Sequence, residues 1–243
     1  MKQIVVITGA ASGLGLSLSQ KFLGLGAAVY GATKTRSHWS EAKRRLVRYS
    51  HFLLSQVDVT SEAEVRQFIS GIVKKEGRID ILINNAGYAS RPVPVDEENL
   101  REFQKNLSSN LVSAFLMCKH SIPVLRRQKE GWIFNVSSFA GKRAVPHLAA
   151  YSASKFGVVA LTQSIAKENS DAGFKCVTVC PGGMNTEMRA SLFGKEDAER
   201  QQSPDFVAEK IVEIVQGKIP IESGGDIVIR HSQITAINPL PKA

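Results

Sequence analysis

The stretch IVVITGAASGLG, Ile4 to Gly15, runs from β-branched residues into a glycine-rich turn, and LSLSQKFLGLG follows with helical character. A short apolar run bounded by turn residues reads as a buried strand, so the turn joins a strand to a helix. Gly9 permits a tight turn, Gly13 lets the backbone approach a phosphate closely, and Gly15 lets helix and strand pack. The helix start adds N–H donors and the positive end of its dipole, where a pyrophosphate fits. The spacing is G-x3-G-x-G rather than G-x-G-x-x-G, so the simplest dinucleotide fingerprint does not match. A glycine turn without function is the alternative; the strand before it and the helix after it argue against that.

Working outward, the same alternation repeats. Strand-like cores occur at IVVIT (Ile4 to Thr8), AVYGAT (Ala28 to Thr33), FLLSQV (Phe52 to Val57), ILIN (Ile81 to Asn84), WIFNVS (Trp132 to Ser137), CVTVC (Cys176 to Cys180) and DIVIR (Asp226 to Arg230). Segments of helical periodicity separate them, around Leu14 to Leu25, Trp39 to Arg48, Glu62 to Glu76, Leu100 to Arg127, Ala149 to Asp171 and Pro204 to Gln216. Ser61 and Glu64 form a capping-box pattern before the third. Right-handed βαβ crossovers of this kind build a twisted parallel sheet with helices on both faces. The expected fold is therefore α/β, a doubly wound Rossmann-type three-layer sandwich with a seven-stranded parallel sheet, as one domain over 1–243. Ligands of such sheets bind at the carboxyl ends of the strands.

Composition fits an ordinary globular protein, with 43% hydrophobic and 22% charged residues. The net charge of +9 raises nucleic acid or an anionic membrane as a partner. The densest basic stretch, KTRSHWSEAKRRLVR from Lys34 to Arg48, reads instead as a solvated helix face, so neither is expected. Cys118, Cys176 and Cys180 form no metal-ligand spacing, and no metal is expected. Cys176 and Cys180 lie roughly 13 Å apart along one strand, too far for a disulfide. The N-terminus reads as a strand rather than a signal peptide, and no apolar run reaches membrane-span length, which predicts a soluble cytoplasmic protein.

Polar motifs cluster at the strand ends. The fourth strand ends in NNAG, Asn84 to Gly87, small and polar enough to lie against a ligand. Asp58 could accept a hydrogen bond from an adenine amino group, or simply cap a turn before Thr60. Ser138 closes NVSS after the fifth strand, where its hydroxyl can donate to a substrate oxygen. Thirteen residues later YSASK places Tyr151 and Lys155 at i and i+4 of a helix, with Cβ atoms roughly 6 Å apart. A fixed ammonium there is expected to lower the phenol pKa toward working pH, as a general acid/base requires. Tyr30 and Lys34 have the same spacing in YGATK, but a strand separates them by roughly 13 Å.

Together TGAASGLG, NNAG, Ser138, YSASK and CPGGMNT (Cys180 to Thr186) resemble the classical short-chain dehydrogenase/reductase family, in order and interval, over residues 1 to about 230. The resemblance implies hydride transfer between nicotinamide and a ketone or secondary alcohol. It implies that Tyr151 protonates the carbonyl oxygen, that Ser138 holds it, and that Lys155 tunes Tyr151 and grips the nicotinamide ribose. Asn110, in LSSNLVSAF, matches a helix asparagine that supports a water relay to the lysine. Expected cofactor contacts are Gly9, Ser12, Gly13, Leu14 and Gly15 in the glycine turn, and Asn85, Ala86 and Gly87 after the fourth strand. Thr33, Lys34, Asp58 and Val59 are expected on the adenosine side. Tyr151, Lys155, Pro181, Gly182 and Thr186 are expected beside the nicotinamide, with Thr186 bonding its carboxamide.

Thr33 occupies the place of the acid that recognises a ribose, and Lys34 and Arg36 follow, so NADP(H) is favoured over NAD(H). The segment from Met184 to Ser203 reads as an amphipathic substrate lid. Lys142, Arg143 and His147 raise the question of an acidic or acyl-carrier substrate; plain surface is the alternative. The tail HSQITAINPLPKA after Arg230 carries Pro239 and Pro241, which stop regular structure. The long helices from Leu100 and Ala149 resemble those that build the family's homodimers and homotetramers. The competing class is a dinucleotide-binding sensor without turnover, which requires no acid; Asn110, Ser138, Tyr151 and Lys155 are all present.

Overall fold

Strand β1 (Ile4–Thr8) buries side chains on both faces, Val5 and Ile7 into one core and Ile4 and Val6 into the other. With a period of two and no wet face, the strand needs helices on both sides. This computed structural model describes residues 2–241; residues 1, 242 and 243, at the ends of the expected 1–243 domain, lie outside the described residues. Helices α1 (Gly13–Gly24), α2 (Trp39–Leu46) and α9 (Pro204–Val215) cover the first core through Phe22, Leu46 and Ile211. The second lies under α3 (Glu62–Glu76), α5 (Ser113–Gln128) and α6 (Ala149–Glu168), through Ile69, Met117 and Ile165.

The remaining strands are β2 (Ala28–Thr33), β3 (Phe52–Gln56), β4 (Ile81–Asn84), β5 (Trp132–Val136), β6 (Lys175–Pro181), β7 (Asp226–Arg230) and β8 (Gln233–Asn238). They form one sheet in the order β3-β2-β1-β4-β5-β6-β7-β8. Pairing is parallel from β3 through to β7. The chain moves outward from β1 to β3 and then returns to β4, so the order reverses between β1 and β4. A crevice opens at such a reversal, outside the carboxyl ends of the strands.

Two expectations are corrected. The sheet has eight strands among the described residues, because the tail after Arg230 turns back as β8, antiparallel to β7, before its prolines. His231 and Ser232 make that turn at φ of 50° and 56°. The continuous helix expected from Leu100 to Arg127 is interrupted: α4 (Leu100–Leu107) and α5 are joined by a π-helical turn at Ser108–Val112, which carries Asn110. The capping pattern at α3 is also modified. Ser61 accepts from the Glu64 N–H at 3.5 Å, while the Glu64 carboxylate takes the Asp58 N–H at 2.8 Å and so ties the helix start to the loop after β3. The segment after β6 folds as two short helices, α7 (Glu187–Phe193) and α8 (Lys195–Glu199). No helix among the described residues is long and apolar enough to cross a membrane.

Candidate active site

The loops after β1 and β4 are tied together. The Thr8 hydroxyl oxygen accepts from the Asn85 and Ala86 N–H groups, each at 2.9 Å, and the Asn85 amide donates to the Thr8 carbonyl at 2.9 Å. Gly9 and Gly13 have φ of 65° and 47°, in the left-handed region that glycine enters freely. Gly15 is required by packing: a Cβ there would lie 2.0 Å from the Gly9 carbonyl oxygen. Ser12 is the N-cap of α1, yet its side chain makes no capping bond, so its hydroxyl is free of that duty.

These loops wall a groove of about 510 Å³, which includes Gly9, Ser12, Gly13 and Leu14 on one side and Asn85, Ala86 and Gly87 on the other. Tyr151, Lys155 and Thr186 complete its far end. The donors, the open helix N-terminus and the length of the groove suit a dinucleotide. Of the expected cofactor residues, Gly15, Thr33, Lys34, Asp58, Val59, Pro181 and Gly182 do not line it; Thr33, Lys34, Asp58 and Val59 lie at the ends of β2 and β3. Asp58 takes the turn role: its Oδ1 accepts from the Thr60 N–H at 3.0 Å and the Thr60 hydroxyl at 2.7 Å. Its Oδ2 pairs with the Lys34 ammonium at 2.7 Å. Burial would raise the Asp58 pKa, but the Lys34 and Thr60 hydrogen bonds outweigh it and hold the carboxyl below its usual value.

Ser138 follows β5 and stands with the Tyr151 phenol in one cavity wall. Its oxygen also accepts from the Ala140 N–H at 3.1 Å, which fixes the rotamer. One turn beyond Tyr151, Lys155 is 4% exposed and donates to the Val136 carbonyl at 2.9 Å. Asn110 is likewise buried: its amide donates to the Tyr88 carbonyl and the Ser154 hydroxyl, and its Oδ1 accepts from the Tyr88 N–H, each at 2.8 Å. Gly87 fits between Asn110 and Lys155, because a Cβ there would lie 2.9 Å from Asn110 Oδ1 and 3.6 Å from Lys155 Nζ.

The electrostatics differ from the expected pairing. Burial raises the Tyr151 pKa and the Ser138 hydrogen bond opposes the rise. Burial also lowers the Lys155 pKa from 10.5 to about 8. The Tyr151 pKa is thus raised where a lowering was expected; the Lys155 ammonium is directed at Val136 and lies 5.6 Å from the phenol ring centroid. A phenol kept neutral at pH 7 is a proton donor, the form that protonating a carbonyl oxygen requires.

A second cavity, of about 270 Å³, adjoins the groove and shares Tyr151, Met184, Thr186 and Met188 with it. Ser138 and Gly182 lie in its wall, and Pro181 is buried at the end of β6. The two spaces thus meet at Tyr151: a larger groove on one side and a smaller, mostly apolar pocket on the other.

A short chain dehydrogenase family model matches residues 3–197. The chain belongs to the short-chain dehydrogenase family. It is accordingly an NAD(P)-dependent oxidoreductase. It is 30% identical over 225 residues to the NADPH-dependent pterin aldehyde reductase of Arabidopsis thaliana, covering 93% of this chain and 92% of that one. It is also 32% identical to 3beta-hydroxysteroid dehydrogenase 2 of Eggerthella lenta, over 82% of this chain and 76% of that one. Among solved structures it superposes on ElxO with NADP bound, with a TM-score of 0.86, 26% identity and coverage of 94% and 97%. A 3-ketoacyl-(acyl-carrier-protein) reductase from Brucella melitensis complexed with NADH gives a TM-score of 0.85 at 26% identity, with coverage of 93% and 96%.

For a short-chain dehydrogenase, several residues of this site escape sequence reasoning. His38, Glu41 and Arg45 bring α2 against the dinucleotide groove, and His38 meets Glu187 of α7 at 3.5 Å. The basic residues thought to bear on an acidic substrate are not in the pocket: Lys142 pairs with Asp226 at 2.7 Å, and Arg143 and His147 are exposed. The basic side chains that do line it are Arg189, Arg230 and His231. Arg230 had a usable signal, since it ends a parallel strand on the ligand edge of the sheet. Arg189 and His231 had none, because helix α7 and a hairpin turn are brought there only by the tertiary fold.

Proposed function

We propose that the protein interconverts a ketone and its secondary alcohol with NADP(H), favoured over NAD(H). The observation that carries this reading is the placing of Ser138 and Tyr151 together in the pocket wall, where pocket and groove meet, with Lys155 one turn away. The Tyr151 phenol gives its proton to the carbonyl oxygen, and the Ser138 hydroxyl holds that oxygen by hydrogen bond as negative charge develops. Nicotinamide, when bound, supplies or accepts the hydride. Gly9, Ser12, Gly13, Leu14 and the first N–H groups of α1 would hold the pyrophosphate. Asn85, Ala86 and Gly87 would flank the dinucleotide, Lys155 would bind the nicotinamide ribose, and Pro181, Gly182 and Thr186 would border the ring. Asn110 positions the Tyr88 backbone and Gly87 beside Lys155.

The NADP(H) preference draws support from Thr33, which puts no carboxylate against a 2′-phosphate, and from Lys34 and Arg36 beside it. Lys34 is 68% exposed despite its pairing with Asp58, so its ammonium remains accessible to that phosphate, with Asp58 and Val59 toward the adenine. ElxO carries NADP and the pterin aldehyde reductase uses NADPH, in line with this. Helices α7 and α8 serve as a substrate lid through Met188, Leu192 and Phe193. Exposed Val112, Phe115 and Phe156 favour a homodimer or homotetramer, and three buried free thiols suit a reducing cytoplasm. NADPH oxidation followed at its nicotinamide absorbance, over a panel of ketones and 3-oxoacyl thioesters, tests the reading. Turnover of at least one ketone, faster with NADPH than NADH, is expected; no turnover across the panel defeats it.

A further inference from the structure

We infer that Arg230 determines substrate specificity by receiving a carboxylate that the substrate carries apart from its reacting carbonyl. The inference rests on the proposed reading that Ser138 and Tyr151 hold the carbonyl. Arg230 ends β7, on the ligand edge of the sheet, and its stem crosses Gly182: a Cβ on Gly182 would lie 3.0 Å from Arg230 Cγ. Its guanidinium carbon lies over the Phe139 ring, 3.9 Å from the centroid, and Phe139 directly follows Ser138. Contact with an aromatic ring spends none of the guanidinium's N–H donors, whose planar fork matches a carboxylate.

Charge argues the same way. No acidic side chain lines the pocket, and Arg230 has no carboxylate partner among the described residues; its polar contact is His231 Nε2 at 3.5 Å. The other pocket arginine, Arg189, is committed to Asp197, with Nη2 to Oδ2 at 3.0 Å. A half-buried cation without a counter-ion in a mainly apolar pocket is an anion site. Its backbone is held firmly. Gln202 donates to the Ile229 carbonyl at 3.0 Å and accepts from the Ser232 N–H at 3.1 Å, which locks the β7 to β8 turn. His231 and Ser232 take left-handed φ in that turn without being glycine, a strain that surrounding structure must over-determine. Val145, Leu148, Leu192 and Phe193 line the pocket as well, so the substrate is a keto acid with an apolar spacer between carbonyl and carboxylate.

The test is reduction by NADPH of straight-chain keto acids of increasing spacer length, each beside its methyl ester, by the wild-type chain, Arg230→Gln and Arg230→Lys. The wild type is expected to prefer at least one acid over its ester by on the order of 30-fold in kcat/KM, mainly through KM. Arg230→Gln should abolish that preference while costing the ester no more than about threefold, and Arg230→Lys should restore part of it. No acid preferred over its ester, or equal losses for acid and ester in Arg230→Gln, overturns the assignment. A phosphorylated ketone used better than every keto acid overturns the choice of carboxylate. If neither acids nor esters turn over, the carbonyl reading fails. Thermal stabilisation by a keto acid that Arg230→Gln abolishes would then still support the anion site, and its absence would refute it.

Discussion

Tyr30 and Tyr151 each precede a lysine by four residues, and the backbone beneath them sends the two pairs to unrelated fates. In β2 the spacing stretches the pair apart: Tyr30 donates to Glu76 beneath the Lys75 ammonium, while Lys34 pairs with Asp58 at the strand end. In α6 the same spacing stacks the pair on one helix face, where Tyr151 meets Ser138 and Lys155 is buried against Val136. Burial raises both tyrosines, but a carboxylate adds to the rise at Tyr30, whereas a hydroxyl opposes it at Tyr151. A tyrosine tied to a carboxylate is locked as a donor to protein; one beside a serine hydroxyl at a cavity wall keeps its proton free for a ligand.

The largest effect should separate the two phenols. Tyr151→Phe is expected to lower turnover about a thousandfold with NADPH affinity nearly unchanged, whereas Tyr30→Phe keeps turnover and loses about 1 kcal/mol of stability. Steady-state kinetics, nucleotide titration and urea unfolding measure these; comparable kinetic losses in both variants would erase the distinction. Lys155→Met should cost roughly a hundredfold in turnover, yet stabilise the unliganded protein at pH 7 by about 1–3 kcal/mol, because a buried ammonium is removed. Asn110→Ala should cost on the order of tenfold in turnover and about 2 kcal/mol, since three buried hydrogen bonds are lost or unpaired.

Lys155 should also give stability a pH dependence. With Lys155 lowered to about 8 in the folded chain against 10.5, the unfolded state binds more protons between those values. Stability from this group therefore rises as pH climbs from 8 to 10.5, by at most about 3 kcal/mol, and the rise should vanish in Lys155→Met. Urea titrations at pH 7.5 and 10 on both proteins check the sign. The smallest effect is at Lys34, where Lys34→Gln should weaken NADPH by about threefold and leave NADH alone, as suits an exposed ammonium.

Much of the fold was legible because burial writes a period into the chain: the β-branched runs and the helical repeats coincide with seven strands and most helices to within a few residues. Strand β8 was not, although QITAIN alternates, because the turn before it uses His231 and Ser232 at positive φ instead of the Asn-Gly that marks such hairpins. The π turn at Asn110 left no mark either, since inserting a residue into a helix changes hydrogen-bond register without changing composition. At the site, residues at strand ends and one helix turn apart were legible from local geometry. The wall of the second cavity was not, because Arg189, Arg230 and His231 converge on it from helix α7 and the β7 to β8 hairpin.

The sequence alone determined the βαβ order, the glycine turn and the family, because each depends on the order and spacing of residues along the chain. Only the tertiary structure decided which charges are spent and which are available. Lys142 folds onto Asp226, Lys34 onto Asp58 and Arg189 onto Asp197, while Arg230 is left at the pocket without a carboxylate. Charge pairing acts through space between residues far apart in the chain, so a spacing rule has no access to it.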